Sequence, residues 1–223
     1  PIKFNGSIFT VDTKDLDNRY GGFDADYRQW GGPYWWQNTR LPYWSMLEAG
    51  DFDLMLPLFK MYREALEVRK EATKIYYGHK GAFFPETMYF WGTYTDSNYG
   101  RDRSQLPMGT TENRFIRHYW QSGLEISLMA LDYYAFTQDE ELFKHTLLPV
   151  ITEIINFYDN HWGRDKNGKI LFDPAMALET YNTAVNPLPE IVGMNKVCKG
   201  LLRLPGYLIS SSQRKQFNRL ISE

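Results

Sequence analysis

A stretch of fifteen residues combines aromatic side chains with polar side chains of the kind that bind sugars. It reads WGGPYWWQNTRLPYW, residues 30–44, and its polar members are Gln37, Asn38, Thr39 and Arg40. The apolar faces of a pyranose ring lie on aromatic rings, and its hydroxyls need placed donors and acceptors. The pattern favours a carbohydrate site with Trp35 and Trp36 as walls. It also fits a helix whose aromatic side chains simply fill the core.

Two glutamates in aromatic-rich segments are candidates for acid catalysis. Glu86 lies in FFPETMYFW and Glu179 in AMALETYN, both with few charged neighbours. Because removal from water disfavours the charged form, such a carboxyl has a raised pKa and can donate a proton near neutral pH. Either glutamate could instead cap a helix or accept a hydrogen bond within a loop. Phe84 and Trp91, in the segment around Glu86, are candidates for further walls of a sugar site.

Other chemistries lack the residues they need. The four histidines show no metal-ligand spacing and Cys198 is the single cysteine, so we expect neither a metal nor another cofactor. No glycine-rich phosphate loop or nucleophile elbow is present. A net charge of -2 gives no electrostatic footprint for nucleic acid, and no apolar run is long enough to span a membrane. A neutral partner such as a carbohydrate fits best.

The pattern of apolar residues predicts a short strand-and-loop segment followed by a helical domain. Residues 1–35 are rich in glycine and alternate in polarity, whereas residues 36–223 show helical periodicity. We predict six helices, at about 38–49, 51–77, 112–137, 142–162, 190–204 and from 210 onward. Asn38 is the predicted N-cap of the first helix, and Thr137 opens a predicted capping box.

Two irregular segments interrupt the predicted helices. Residues 81–111 form a long aromatic-rich loop, which is typical of a functional loop or a lid, and GRDKNGKILFD predicts a small hairpin before the loop with Glu179. Consecutive amphipathic helices of this kind predict a mainly α fold, either a toroid or a bundle.

Several strings resemble the catalytic domain of glycoside hydrolase family 95, the (α/α)6-barrel enzymes that include α-L-fucosidases and α-L-galactosidases. WQNTRLPYW stands where that family has Asn-x-Asn-Leu-Gln-x-Asn-Tyr-Trp. Asn38 matches the second catalytic asparagine and the final Tyr-Trp is shared, whereas Trp36 replaces the first asparagine and Arg40 the glutamine. Further on, QSGLEISLMALDYYAFTQDEELFKHTLLPVITEIINFYDNHW looks like the family's paired helices, and ALETYN lies where the family's acid-bearing loop is expected.

The resemblance covers roughly residues 30–205 and implies an inverting hydrolase that removes a terminal sugar from an oligo- or polysaccharide. It makes Glu179 the general acid and Asn38 a second catalytic residue, and it places the general base downstream of residue 223. The expected substrate-binding residues are Trp35, Trp36, Gln37, Arg40, Phe84, Glu86 and Trp91. The chain would then form half of an (α/α)6 barrel, inactive alone and completed by the rest of a secreted or periplasmic protein.

The departures from the family leave two alternatives open. Trp36 and Pro42 differ from the catalytic string, so the chain could be a carbohydrate-binding barrel without activity. A phosphorylase or lyase on the same barrel is the other alternative. A phosphorylase needs a cluster of phosphate-binding groups, for which Arg101, Arg103 and Ser104 are the candidates.

Overall fold

The computed structural model describes residues 33–222. Most of the predicted strand-and-loop segment, residues 1–32, lies outside this range. Its last residues form strand β1 (Tyr34–Trp35), which pairs antiparallel with β2 (Thr87–Met88). This small sheet joins the segment before the first helix to the segment that contains Glu86.

The described chain is mainly helical, as predicted. Its helices are α1 (Trp36–Ala49), α2 (Phe52–Tyr77), α3 (Asp96–Tyr99), α4 (Ser122–Thr137), α5 (Glu140–Leu142), α6 (Leu148–His161), α7 (Leu188–Leu202) and α8 (Ser211–Ser222). A π-helical segment, Phe143–Leu147, joins α5 to α6, so these form one continuous helical run. The predicted fourth helix corresponds to this run.

The long helices pack in two layers. Helix α4 contacts α1 on one side and α7 on the other, and these three helices form one layer. Helices α2, α6 and α8 form the second layer, in which α2 covers α1, α6 covers α4 and α8 covers α7. This alternation is that of part of an α/α toroid, so the predicted fold class is confirmed.

Small residues let the central helix lie close to its neighbours. A Cβ added at Gly123 of α4 would lie 3.0 Å from the Cγ2 of Ile154 on α6, and one added at Gly193 of α7 would lie 2.9 Å from a methyl carbon of Leu124. Contacts this short require glycine or a shift of the partner side chain. Helix α4 is therefore held on two sides.

The predicted start of the third helix is wrong by ten residues. Helix α4 begins at Ser122, and the residues from Glu112 to it form turns. The Asn113 side chain accepts a hydrogen bond from the Phe115 N–H at 3.0 Å, and Arg117 donates to the carbonyls of Thr111 and Glu112. These side chains take up backbone groups that a helix would otherwise use.

The predicted capping box is also displaced. The Oδ1 of Asp139, rather than the hydroxyl of Thr137, accepts the hydrogen bond from the N–H of Leu142 at 2.9 Å. Asp139 is therefore the N-cap of α5. The predicted hairpin before the Glu179 loop is present as an antiparallel bridge between Arg164 and Ile170.

Candidate active site

Glu86 supplies the hydrogen-bond acceptors at the start of α1. The N–H of Trp36 donates to the backbone carbonyl of Glu86 at 2.9 Å, and the N–H of Gln37 donates to its Oε1 at 2.8 Å. The first N–H groups of a helix have no acceptor within the helix, so an outside carboxyl stabilises them. The prediction of Asn38 as N-cap is wrong, since α1 begins at Trp36 and Asn38 lies exposed in its first turn.

The Glu86 carboxyl is almost completely removed from water. Its side chain is 3% exposed, and this burial raises the pKa of Glu86 to about 8. The Gln37 N–H and the Arg40 guanidinium oppose the rise, whereas the charges of Glu125 and Glu179 add to it. A carboxyl with this pKa carries its proton at pH 7. Glu86 therefore acts as a neutral hydrogen-bonding group under the first turn of α1.

Three donors from one face of α1 converge on the carboxylate of Glu125 in α4. The Nη1 of Arg40 and the Nε1 of Trp44 both lie 2.9 Å from its Oε1, and the Nε1 of Trp36 lies 3.1 Å from its Oε2. These residues are four positions apart and share one side of the helix. The Glu125 and Arg40 side chains are 22% and 34% exposed, so the pair lies at the edge of the protein interior.

Sequence reasoning missed Glu125, because it considered carboxylates only in non-helical segments. Two signals were available. Glu125 is the one charged residue between positions 122 and 131, in an otherwise apolar helical stretch. The second signal is in α1, where one face carries three hydrogen-bond donors and no acceptor: Trp36, Arg40 and Trp44. Donors that pack against the protein need an acceptor from another element.

Glu179 lies on an exposed turn between α6 and α7. The turn is closed by antiparallel bridges between Leu178 and Tyr181 and between Ala175 and Ala184. Its backbone carbonyl accepts a hydrogen bond from Asn182, and its carboxylate has no hydrogen-bond partner in the described part of the chain. The charge of Glu179 makes the smallest of the named contributions to the raised pKa of Glu86, so the two carboxyls lie within electrostatic range of one another.

The remaining predicted substrate-binding residues lie in three places. Trp35 is half-buried in β1, next to the start of α1. Phe84 is 1% exposed and packs on Tyr62 in the core, with ring centroids 4.9 Å apart, and Trp36 is similarly buried. Trp91 is half-exposed on a separate turn, where it stacks on Tyr89. The structure thus brings Trp36, Gln37, Arg40 and Glu86 together, whereas Phe84 lies behind them and Trp91 apart.

An open groove of about 340 Å³ runs between α4 and α7 beside Glu125. Its walls are apolar except at the end where Glu125 and Gln121 lie. The other lining residues are Leu124, Leu128, Leu188, Pro189, Val192 and Gly193. The groove therefore places the Glu125 carboxylate beside an accessible surface of the helical layer.

The residues proposed for phosphate binding do not form a cluster of free cationic groups. The Nη1 of Arg103 donates to the carbonyls of Tyr99 and Thr110 at 2.6 Å, and its guanidinium lies 3.7 Å from the centre of the Tyr99 ring. Arg101 is exposed and lies 3.6 Å from Asp96. The backbone N–H of Ser104 donates to Asp102. Arg103 thus organises its own loop.

Within residues 33–222, no three or more histidine, cysteine, aspartate or glutamate side chains are grouped closely enough to hold a metal ion. None of the described helices is long and apolar enough to cross a membrane.

Comparison with protein families identifies one match. The model described as glycosyl hydrolase family 95 catalytic domain matches residues 21–196, which include both α1 and the turn with Glu179. No individually curated protein matches the chain.

Proposed function

Because this chain belongs to glycosyl hydrolase family 95, we propose that it removes a terminal sugar from an oligo- or polysaccharide by inversion, with Glu179 as the general acid. In an inverting enzyme one carboxylic acid protonates the leaving oxygen, and a second carboxylate activates water on the opposite face of the sugar. By the family resemblance, the second carboxylate comes from outside this chain. Glycoside hydrolysis is the family's chemistry, and the residue roles are our proposal.

The observation that supports this assignment is the position of Glu179 relative to α1. The exposed Glu179 carboxylate lies within electrostatic range of Glu86, and the Glu86 carboxyl binds the helix end at which Gln37 and Asn38 are exposed. A proton donor and amide groups can therefore meet one bound sugar from two sides. In this proposal Asn38 and Gln37 bind the sugar or the attacking water.

Arg40 is a further polar group at the start of α1, on the side that faces Glu125. Its Nη1 is bound to Glu125, and its Nη2 has no hydrogen-bond partner among residues 33–222. An arginine held by one nitrogen keeps its other donors in a fixed plane. The Nη2 of Arg40 is therefore available to bind a sugar hydroxyl.

The test is Glu179→Gln in the intact protein, after a panel of aryl glycosides and plant and host glycans has identified the released monosaccharide. We expect turnover to fall by about a thousandfold or more, since general acid catalysis and the departure of the leaving group are both lost. The melting temperature should change little, because the Glu179 side chain is exposed and unpartnered.

Glu64→Gln is the matched control. Glu64 is also exposed, on α2, and its ion pair within residues 33–222 is with Lys60, at 3.7 Å. This variant should keep the activity of the unmodified protein. Full activity of Glu179→Gln would refute the role of Glu179.

A second candidate function rests on Trp36. This residue stands where the family has its first catalytic asparagine, and its indole N–H is bound to Glu125 inside the protein. An indole held in this way cannot supply the amide group of an asparagine. A domain that binds carbohydrate without cleaving it is therefore the alternative, and it predicts sugar binding by the intact protein with no released product.

A further inference from the structure

Helix α4 is hydrogen-bonded both to α1 and to the segment that contains Glu86. Glu125 holds three side chains of α1, as described above. At the first residue of α4, the hydroxyl of Ser122 donates to the carbonyl of Phe84 at 2.9 Å, two residues before Glu86. Because α4 is itself packed closely against α6 and α7, it is a rigid reference for α1 and for the Glu86 segment.

The donors on α1 also fix the rotation of that helix about its axis. Asn38 lies between Trp36 and Arg40 in the sequence, within a single turn. Each residue advances the side-chain direction by about 100°, as the 3.6-residue turn requires, so fixing positions 36, 40 and 44 determines where Gln37 and Asn38 point. A turn held at only one of these positions could rotate and move Asn38.

We propose that Glu125 is a positioning residue, which holds α1 by Trp36, Arg40 and Trp44 and so fixes the directions of Gln37 and Asn38, which leave the helix at about 100° and 200° from Trp36. This inference rests on the proposed function, because it assumes that the first turn of α1 contacts the sugar. Glu125 itself acts through α1 and takes no part in bond cleavage. No motif in the sequence identifies this role, which depends on the contact between two helices.

Glu125→Gln in the intact protein is the first variant to measure. The amide keeps the shape of the carboxylate but loses its charge, and its NH2 group faces a donor. We expect kcat to fall by about 10-fold to 100-fold, the range that a small misplacement of binding groups produces, and KM to rise by up to about tenfold, because the displaced groups also bind the sugar. Asp132→Asn, an exposed acid seven residues along the same helix, should leave both constants unchanged.

Trp44→Phe provides a milder second variant, which keeps an aromatic ring but removes the indole N–H. We expect a smaller fall in kcat, of about threefold to tenfold. If both residues act through their shared hydrogen bond, the double variant should be no slower than Glu125→Gln alone.

A merely structural role would instead lower the melting temperature of each variant and leave kcat of the folded fraction unchanged. If Glu125→Gln does not fold, Trp44→Phe decides the question by the same two measurements.

The outcomes separate this inference from the proposed function. If the intact protein releases sugar and Glu179→Gln does not, unchanged kcat in Glu125→Gln and Trp44→Phe overturns the positioning role alone. If the protein binds sugar without turnover, the hydrolase proposal fails. A tenfold loss of sugar affinity in Glu125→Gln, with Asp132→Asn unchanged, then supports the positioning role, and equal affinity overturns it. Absence of both turnover and binding overturns both proposals.

Discussion

Helices α1 and α7 each begin beside a buried glutamate whose pKa is raised to about 8, and the surroundings of the two glutamates differ. At α1, the Oε1 of Glu86 accepts the Gln37 N–H, and charged and exposed groups lie nearby. At α7, Glu190 is the third residue of the helix and is fully buried. Apart from its own backbone N–H, which opposes the rise in pKa, no group within residues 33–222 donates a hydrogen bond to its carboxyl, and the nearby Tyr158 hydroxyl has no partner there either.

A raised pKa alone therefore does not identify a catalytic acid. Burial is the main cause at both glutamates, and it acts the same way in a site and in a core. Two features distinguish the start of α1. Side chains of α1 donate hydrogen bonds to the Glu125 carboxylate, and the polar side chains of Asn38 and Glu179 are exposed. The start of α7 has neither feature, so we interpret Glu190 as a neutral core residue.

The largest expected effect is on the pH dependence of stability, measured with Glu190→Gln and Glu86→Gln. The ordinary pKa of glutamate is near 4.5, and in the folded chain both carboxyls keep their protons up to about pH 8. Between these values only the unfolded chain loses the proton, so the free energy of unfolding falls as pH rises. The loss is on the order of a few kcal/mol per group. Each substitution should flatten this slope in urea unfolding between pH 5 and 9.

Glu190→Gln and Glu86→Gln should change the pH dependence of stability alike, but they should differ in kcat. Glu190→Gln should leave kcat unchanged, because the residue contacts no part of the proposed site. Glu86→Gln should lower kcat, since its side chain supports the first turn of α1. If both substitutions changed kcat equally, Glu86 would be no closer to the active site in function than Glu190. An unchanged pH slope in Glu190→Gln would mean that its carboxyl is ionised in the folded protein.

A smaller effect is expected from Trp36→Phe, with Trp162→Phe as its matched control. Both tryptophans are buried, but the indole N–H of Trp36 binds Glu125, whereas that of Trp162 has no partner in the described chain. Both substitutions remove the same ring volume, so their difference isolates the hydrogen bond. Trp36→Phe should cost about 1–2 kcal/mol more, as measured by urea unfolding at pH 7. Equal costs would show that this donor contributes nothing to the stability of α1.

The fold was predictable to a large extent because it depends on patterns along the chain. Helical periodicity located the long helices, and the glycines that end α1 and α2 adopt the left-handed conformation expected there, with φ of 81° at Gly50 and 75° at Gly78. The start of α4 was misplaced because an apolar pattern does not reveal that Asn113 and Arg117 bind the local backbone. Element type follows from periodicity, whereas element ends follow from individual side chains.

The candidate site was predictable only in part, because it depends on contacts between distant segments. Glu86 and Glu179 could be singled out by their surroundings in the sequence. That Glu86 binds the N–H of Gln37, and that Glu125 accepts from Trp36, required the packing of α1 on the Glu86 segment and on α4. A helical glutamate is ordinarily exposed, so composition gives no reason to expect three donors from another helix around one.

Tyr158→Phe has the smallest expected effect and tests whether the polar groups at the start of α7 lack hydrogen-bond partners. The Tyr158 hydroxyl is buried without a partner in the described residues, so its removal should leave stability unchanged or raise it by up to about 1 kcal/mol. The matched control is Tyr77→Phe, because the Tyr77 hydroxyl lies 3.1 Å from that of Tyr94 and 3.3 Å from the carbonyl of Gly109. It should lose about 1 kcal/mol. A loss of that size in Tyr158→Phe would show that the Tyr158 hydroxyl has a hydrogen-bond partner in the folded protein, for which a buried water between it and Glu190 is the candidate.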